Sequence, residues 1–222
     1  MLFFDIDDTL LDYRSSQDLA ARKFADQHRG RLLVDQDSFV EFWHRTSLEA
    51  MEKYLAGRVS FQEQRRLRVR VSLSGVRDDS EADFLFSKYH SAYESSWSLF
   101  PECFEALELL KQRKLGVITN GDPIQQRRKL ERLGISSYFD SVITPADAGE
   151  AKPSRKIFEF AATSSGYSPD QCWYVGDDYD RDYVAAKKLG WNAVWLNRDL
   201  KQPASREQCA SLVEFANLVL AL

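Results

Sequence analysis

Four short segments rich in carboxylate, hydroxyl or lysine side chains occur in a fixed order along this chain, and three of them directly follow a hydrophobic run. The segments are DIDDTL at 5–10, TNG at 119–121, KP at 152–153 and GDDYDRD at 176–182. A short apolar run bounded by acidic residues predicts a buried strand, so the three segments that follow such runs are expected at strand ends. The acidic segments concentrate negative charge, which a fold tolerates at low cost only beside a cation. The pattern therefore predicts a cation site close to the strand ends.

Strand-like and helix-like patterns alternate in the second half of the chain. The predicted strands lie at 116–119, 141–144, 173–175 and 193–196, and the predicted helices at 124–133, 155–164, 183–189 and 212–220. Such alternation implies a parallel sheet with helices on both faces. The apolar run at 2–6 is predicted as a further strand of the same sheet. We therefore expect an α/β fold with a Rossmann-like parallel sheet at its core.

Residues between about 15 and 97 have a different texture, because apolar side chains recur there at helical spacing without a convincing alternating strand. A helical stretch of this length is too long for an ordinary connection and predicts an inserted domain. We expect a core domain of residues 1–14 and 98–222 and an inserted α-helical cap domain of residues 15–97. Parallel sheets bind ligands beyond the carboxyl ends of their strands, where the insert emerges, so we predict that it covers the active site.

The composition narrows the partners and the compartment. The 222 residues include 30 basic and 34 acidic side chains, a net charge of −4 that gives no support to binding of a nucleic-acid polymer or a membrane. No basic region followed by a long apolar stretch begins the sequence. The three cysteines are few and far apart, as in proteins of a reducing compartment. We expect a cytoplasmic protein that is a monomer or a homodimer.

The first acidic segment has a pattern suited to two catalytic carboxylates. Asp5 and Asp7 flank Ile6, so in an extended backbone both side chains point to one side. A carboxylate beside a dication stays ionised and can attack phosphorus, whereas a second one shielded from the metal can be protonated and act as general acid. Two carboxylates in different environments are typical of a nucleophile paired with an acid/base.

The other three segments supply groups for an anion and a metal. Thr119 and Asn120 can offer a hydroxyl and backbone N–H groups to phosphate oxygens, and Lys152 can place a point charge on the same oxygens. Asp177 and Asp182, from another strand end, can complete an oxygen-rich magnesium site. A dication, an anionic substrate and a carboxylate nucleophile together indicate phosphoryl transfer.

The ordered set of four segments resembles the haloacid dehalogenase superfamily of aspartate-nucleophile phosphohydrolases. The residues that carry the resemblance are Asp-x-Asp-x-Thr, then Thr-Asn-Gly, then Lys-Pro, then Gly-Asp followed after four residues by Asp. The resemblance covers roughly residues 1–14 and 98–200. The long helical insert resembles the subfamily with an α-helical cap, and the segment 119–122 with the Gln-Arg-rich helix after it resembles the nucleotidase-like branch of that subfamily.

The resemblance implies a role for each matching residue. Asp5 would be the nucleophile and a metal ligand, and Asp7 the general acid/base with its backbone carbonyl on the metal. Thr119 and Asn120 would bind the transferring phosphoryl group, and Lys152 would neutralise its charge.

The same resemblance implies Mg2+ as the cofactor. Asp177 would be a metal ligand, and Asp182 would mainly contact the ligand residues without binding the metal itself. Asp178 stands where serine or asparagine is frequent in the superfamily, which leaves open how Asp177, Asp178 and Asp182 divide the metal site.

The resulting expectation is a Mg2+-dependent phosphatase that hydrolyses a small phosphomonoester, either a nucleoside monophosphate or a sugar phosphate, through an aspartyl-phosphate intermediate. A 2-haloacid dehalogenase is disfavoured because that chemistry has no leaving alcohol for Asp7 to protonate. A phosphomutase of the same superfamily stays open. A non-enzymatic interaction module would be expected to lack one of Asp5, Asp7, Lys152 or Asp177, and all four are present.

The insert carries its own candidates for substrate contact. The arginines between 58 and 70 form a basic run, for which a solvated helix face is the favoured interpretation. Trp43 is interpreted mainly as cap core. Arg58 and Trp43 are nevertheless the residues that we would test as an anion contact and a stacking surface.

Overall fold

The computed structural model describes residues 1–199 and 207–221. Within this part of the chain the backbone forms two compact units, one comprising Met1–Tyr13 and the described residues of Ser98–Leu222 and the other comprising Arg14–Trp97. The expected core range 98–222 includes residues 200–206 and 222, which lie outside the described residues. Among the described helices, none combines the length and the apolar content that crossing a bilayer would require.

The first unit is built on a parallel sheet. In chain order its strands are β1 (Leu2–Phe4), β2 (Leu115–Ile118), β3 (Ser141–Ile143), β4 (Trp173–Gly176), β5 (Asn192–Leu196) and β6 (Gln208–Cys209). They form one six-stranded sheet in the order β3-β2-β1-β4-β5-β6, and every neighbouring pair is parallel. The predicted α/β fold class is confirmed. Strand β6 was not predicted, because its two residues form no apolar run and pair only as the outer neighbour of β5.

Helices occupy most of the remaining described chain. In chain order the α-helices are α1 (Tyr13–Gln27), α2 (Phe39–Leu55), α3 (Phe61–Ser72), α4 (Asp79–Ser95), α5 (Cys103–Leu110), α6 (Pro123–Arg132), α7 (Pro145–Ala148), α8 (Arg155–Ser165), α9 (Ala185–Lys188) and α10 (Leu212–Leu220). A π-helix at Tyr179–Val184 leads directly into α9. The predicted helix at 183–189 is therefore displaced, because this turn begins at Tyr179 with π rather than α geometry.

Adjacent side chains of β1 pack on opposite faces of the sheet. The Phe3 ring centroid lies 5.3 Å from that of Trp191, in a cluster that also holds Phe158 of α8. The Phe4 ring centroid lies 5.6 Å from that of Phe215 in α10. Because neighbouring residues of a strand point to opposite faces, helices cover the sheet on both sides, as predicted. Burial on both faces is the reason that β1 is apolar without alternation.

The strand order fixes where a ligand can bind. From β1 the chain continues to β2 and β3 on one side, and it later returns to β4, β5 and β6 on the other side. The order therefore reverses between β1 and β4, and open α/β sheets bind ligands beyond the carboxyl ends of their strands at such a point. Asp5 and Asp7 follow β1 and Asp177 follows β4, so these three predicted site residues follow the two strands that flank the reversal.

The second unit contains α2, α3, α4 and nearly all of α1, packed around aromatic side chains. The ring centroid of Trp43 lies 5.2 Å from that of Phe24, 5.8 Å from that of Phe39 and 4.6 Å from that of Tyr89. Trp43 is fully buried. It therefore belongs to the core of the helical unit and does not offer an exposed stacking surface.

The basic run of α3 is only partly a solvated face. Arg66 forms ion pairs with acidic residues of α4, including a contact of 2.8 Å to Asp83, and Arg58 is exposed before the helix begins. Arg68 differs, because it is buried and its guanidinium carbon lies 4.8 Å from the Trp43 ring centroid. The interpretation of the whole run as a solvated face is therefore wrong for Arg68, which packs on the aromatic core.

Candidate active site

The end of β1 brings Asp5 into contact with a buried lysine. Lys152, in the loop between α7 and α8, places its Nζ 2.7 Å from Asp5 Oδ1. The same Nζ lies 2.6 Å from Asp182 Oδ1 and 2.8 Å from the hydroxyl oxygen of Tyr174. All of these side chains are buried. The Lys152 ammonium group therefore joins two carboxylates that come from separate parts of the chain.

Burial and neighbouring charges shift the pKa values at this contact. Burial raises the pKa of Asp5 well above its usual value; Lys152 opposes this shift, and Asp182 and Asp177 add to it. Burial acts to lower the pKa of Lys152, but Asp5 and Asp182 outweigh it, so this pKa lies above its ordinary value. Lys152 thus keeps its charge, while Asp5 retains unfavourable negative neighbours that a further cation would relieve.

Three carboxylates form a set with the chemistry of a metal site. One carboxylate oxygen from each of Asp5, Asp177 and Asp182 lies within 4.8 Å of the others. Burial is the largest cause that raises the pKa of Asp177 to about 7, followed by the charges of Asp182 and Asp8. Clustered carboxylate oxygens in a region of excess negative charge fit a hard dication such as Mg2+. The Asp7 side chain lies outside this set, and the resemblance implied only its backbone carbonyl as a ligand.

Two hydrogen bonds to the backbone of Asp177 hold this residue in place. The indole Nε1 of Trp195 on β5 donates to the Asp177 carbonyl oxygen at 2.8 Å. The Asp177 N–H donates to Oγ1 of Thr9 at 3.1 Å, and Thr9 is fully buried. The threonine of the first polar segment therefore ties the loop after β1 to the end of β4.

Asp182 reaches the site from the π-helix after β4. Its Oδ2 accepts a hydrogen bond from the Asp178 N–H at 3.1 Å, while Oδ1 contacts Lys152. A Cβ atom at Gly176 would lie only 2.2 Å from Asp182 Oδ2. Glycine is therefore required at position 176 for Asp182 to approach the strand end.

Asp178 has a different function from its two acidic neighbours. Its Oδ1 accepts from the N–H groups of Asp180 and Arg181 at 3.1 and 2.8 Å, and its Oδ2 accepts from Arg181 Nε at 2.7 Å. These contacts make Asp178 the N-cap of the π-helix. Of the three candidates left open by the sequence, Asp177 and Asp182 are the two grouped with Asp5.

Thr119 and Asn120, which follow β2, make different contacts. Thr119 is buried, and its Oγ1 accepts from the Gln126 side chain at 2.7 Å and from the Gly121 N–H at 3.2 Å. Asn120 Nδ2 donates to the Lys152 carbonyl oxygen at 2.9 Å, and its Oδ1 accepts from the Lys152 N–H at 2.7 Å. The Asn120 side chain therefore positions Lys152, and the predicted role in phosphate binding would fall to the Asn120 backbone.

Asp7 contacts two residues that the sequence did not reveal. Lys129 Nζ lies 2.5 Å from Asp7 Oδ1, and Gln126 Nε2 donates to Asp7 Oδ2 at 2.8 Å. Both partners lie on α6, three residues apart and thus on one helix face. The signal available in the sequence was weak: α6 has few apolar residues, and Leu130 is the one hydrophobic residue on its buried face. A helix that packs in a core with so few apolar residues has to bury polar ones.

Comparison with known proteins identifies the family. A sequence model of the haloacid dehalogenase-like hydrolases matches residues 1–190, a range that includes all four polar segments. The chain belongs to this family, as the ordered segments predicted.

Two relatives that are named as phosphatases match most of the chain. A glyceraldehyde 3-phosphate phosphatase of Methanothermobacter thermautotrophicus is 30% identical over 90% of this chain and 87% of its own length. A ribulose-1,5-bisphosphate 5-phosphatase of Halopiger xanaduensis is 30% identical over 87% of this chain and 82% of its own length. Both names describe phosphatases of small phosphorylated compounds.

A solved structure confirms the fold over nearly the whole chain. The HAD-hydrolase YfnB of Bacillus subtilis, described as bound to magnesium, matches with a TM-score of 0.77, covering 98% of this chain and 97% of its own. The two sequences are 21% identical, so the likeness concerns the fold. The fold described above is therefore shared with this solved structure.

Proposed function

We propose that this protein is a Mg2+-dependent phosphatase of small phosphomonoesters that works through an aspartyl-phosphate at Asp5. The observation that carries the proposal is the environment of Asp5: a buried carboxylate 2.7 Å from Lys152 Nζ, with ligand oxygens of Asp177 and Asp182 within 4.8 Å. A second carboxylate, Asp7, follows two residues later and contacts a separate cation. This arrangement supports a division between nucleophile and acid/base.

In the first step, an oxygen of Asp5 forms a bond to phosphorus as the bond from phosphorus to the leaving oxygen breaks. Asp7 gives its proton to that oxygen, so the alcohol leaves neutral. In the second step, water attacks the phosphorus of the aspartyl-phosphate, Asp7 takes a proton from the water, and the Asp5 carboxylate is released. Thr119 and the backbone of Asn120 would bind the phosphoryl oxygens, and Lys152 would offset their charge.

The groups that would bind Mg2+ are the carboxylates of Asp5 and Asp177 and the backbone carbonyl of Asp7. Asp182 would orient the site without binding the metal directly. A bound Mg2+ supplies a positive charge that offsets the phosphoryl oxygens and the nucleophilic carboxylate. Asp182 also contacts Lys152 and the Asp178 N–H, which supports a role in orienting the site over direct coordination. Support for Mg2+ comes from the carboxylate set and from the magnesium named for YfnB.

The relatives support a narrower substrate class. Two of them are named for phosphorylated sugars, so we propose sugar phosphates ahead of the nucleoside monophosphates that the nucleotidase-like resemblance suggested. The phosphoryl group is common to all candidate substrates, and the residues at the strand ends serve that group. We therefore propose the helical unit Arg14–Trp97 as a cap domain that selects the leaving group.

A panel assay with Mg2+ tests the proposal. The panel comprises triose and pentose phosphates, nucleoside monophosphates, a hexose 1-phosphate, a phosphopeptide and 2-chloropropionate. We expect phosphate release from small sugar phosphates, none from the phosphopeptide and no chloride release. The Asp5→Asn variant, which cannot form the acyl-phosphate, is the control. Failure of the folded protein to release phosphate from any substrate would overturn the proposal, and isomerisation of the hexose phosphate without phosphate release would indicate a mutase.

A further inference from the structure

The buried face of α6 carries two polar side chains that the reaction scheme above does not use. Gln126 is fully buried and Lys129 is 1% exposed. A lysine is rarely buried this completely unless it is paired, because burying its charge costs free energy. Lys129 forms an ion pair with Asp7, the proposed acid/base.

Each oxygen of Asp7 meets one donor from α6. Lys129 Nζ lies 2.5 Å from Oδ1, and Gln126 Nε2 lies 2.8 Å from Oδ2. With donors at both oxygens, the plane of the carboxyl group is fixed as well as its position. Gln126 Nε2 also lies 2.7 Å from Thr119 Oγ1. One amide group therefore contacts both the acid/base and the hydroxyl proposed to bind phosphate.

The neighbouring backbone leaves space for this amide. A Cβ atom at Gly121 would lie 2.2 Å from Gln126 Nε2 and 2.4 Å from its side-chain carbonyl carbon. Glycine in the Thr-Asn-Gly segment is thus required by the Gln126 side chain. The φ angle of Gly121 is not among the positive values of the chain, so close approach and not backbone conformation accounts for this glycine.

The arrangement is not the most stable one available. The carbonyl oxygen Oε1 of Gln126 is buried and has no hydrogen-bond partner among the described residues. A buried acceptor without a hydrogen-bond partner is destabilising, because it has lost its contact with water. A residue selected only for packing would not leave this oxygen unpaired, whereas a residue that has to direct its NH2 group toward Asp7 and Thr119 does so.

We propose that Lys129 and Gln126 are positioning residues that hold the carboxyl group of Asp7 in line for both proton transfers, an inference that rests on the proposed phosphatase function. In the first transfer the proton moves from Asp7 to the leaving oxygen as its bond to phosphorus breaks. In the second it moves from the attacking water to Asp7 as the new bond to phosphorus forms. Neither Lys129 nor Gln126 exchanges a proton with the substrate.

The test uses leaving groups that need the acid to different degrees. An alkyl phosphate from the panel needs a proton on its leaving oxygen, whereas the nitrophenolate of p-nitrophenyl phosphate leaves without one. For Lys129→Met we expect kcat for the alkyl phosphate to fall on the order of 100-fold with little change in KM. With p-nitrophenyl phosphate, stopped-flow mixing should show a retained burst of nitrophenolate followed by slow turnover, because hydrolysis of the aspartyl-phosphate still needs Asp7.

A double-mutant comparison separates positioning from general damage. If Lys129 acts through Asp7, then Asp7→Asn combined with Lys129→Met should be no slower than Asp7→Asn alone. Lys129→Arg should recover part of the loss. Arg127→Met, on the exposed side of the same helix, is the matched control and should retain the wild-type rates. A multiplicative loss in the double variant, or a burst that slows as much as the steady state, would overturn the inference.

The outcomes also distinguish this inference from the proposed function. An inactive wild-type protein contradicts the phosphatase proposal itself. An active wild type whose kcat is unchanged in Lys129→Met contradicts only the positioning role. Should Lys129→Met fail to fold, Gln126→Met removes an uncharged contact of similar volume, and the same burst and double-mutant comparisons decide.

Discussion

The Nζ atom of Lys152 lies 2.7 Å from Oδ1 of Asp5, and both side chains are buried at the end of the central strand. The same Nζ atom lies 2.6 Å from Oδ1 of Asp182. One cation is thus shared between two buried carboxylates, which leaves the site with excess negative charge. This excess keeps the Lys152 ammonium group charged and favours a further cation beside the carboxylates.

Removing the shared cation should be costly. We expect Lys152→Met to lower the free energy of unfolding by about 3–5 kcal/mol, since two buried carboxylates lose their partner. Urea unfolding at neutral pH measures the change. Lys114→Met is the control, because Lys114 pairs with Asp140 at 2.8 Å in an exposed position, where we expect a much smaller change. Equal effects of the two substitutions would contradict the assigned energetics.

A methyl group at Gly176 should disturb the site by displacing Asp182. Its Cβ would lie 2.2 Å from Asp182 Oδ2, so the carboxylate has to move away from Lys152. We expect Gly176→Ala to lose on the order of 100-fold in kcat/KM. Gly30→Ala is the matched control, because nothing lies within 4 Å of a Cβ there. Wild-type kinetics in Gly176→Ala would show that the position of Asp182 does not matter.

The raised pKa of Asp177 predicts a pH-dependent stability of the metal-free protein. This pKa is about 7 in the folded protein and 3.8 for an ordinary aspartate, so between these values the folded state binds more protons than the unfolded state. The free energy of unfolding should therefore fall as the pH rises from about 4 to about 7. Thermal unfolding in EDTA measures this fall. Asp177→Asn should reduce it, leaving the part due to Asp5, and an unchanged slope would rule out the assignment.

Metal removal should stop catalysis reversibly. EDTA is expected to abolish phosphate release and Mg2+ to restore it, because Lys152 alone does not offset the clustered carboxylates of Asp5, Asp177 and Asp182. Ca2+ should not replace Mg2+, because its larger and looser coordination lets a carboxylate chelate in a pose that cannot attack phosphorus. Rates of phosphate release with each metal decide the matter. Undiminished activity in EDTA, or full activity with Ca2+, would contradict the proposed metal site.

The main architecture could be predicted from the sequence, because it follows from local patterns. Strands β1 to β5 are apolar runs, and their polar continuations meet at one sheet edge once the strands are parallel. Strand β6 could not be predicted, because Gln208 and Cys209 have no strand pattern of their own and depend on β5 as a template.

The site was predictable where a motif marks it and unpredictable where only packing does. Asp5 and Lys152 stand in motifs, whereas Gln126 and Lys129 look like surface residues of a polar helix until α6 is seen to bury that face. Arg68 is the same case in the helical unit, since only the fold reveals its contact with Trp43. The Asn120 side chain likewise serves Lys152, a tertiary contact that spacing along the chain does not encode.

The central claim is that Asp5 becomes phosphorylated during turnover. The most direct measurement mixes the protein with Mg2+ and a substrate from the panel, quenches within the first turnover, and reduces any acyl-phosphate with borohydride. Tandem mass spectrometry then locates the homoserine that forms from a phosphorylated aspartate. We predict homoserine at position 5, none in protein mixed without substrate and none in the Asp5→Asn variant. Homoserine at another aspartate, or none at position 5 while phosphate is released, would contradict the account.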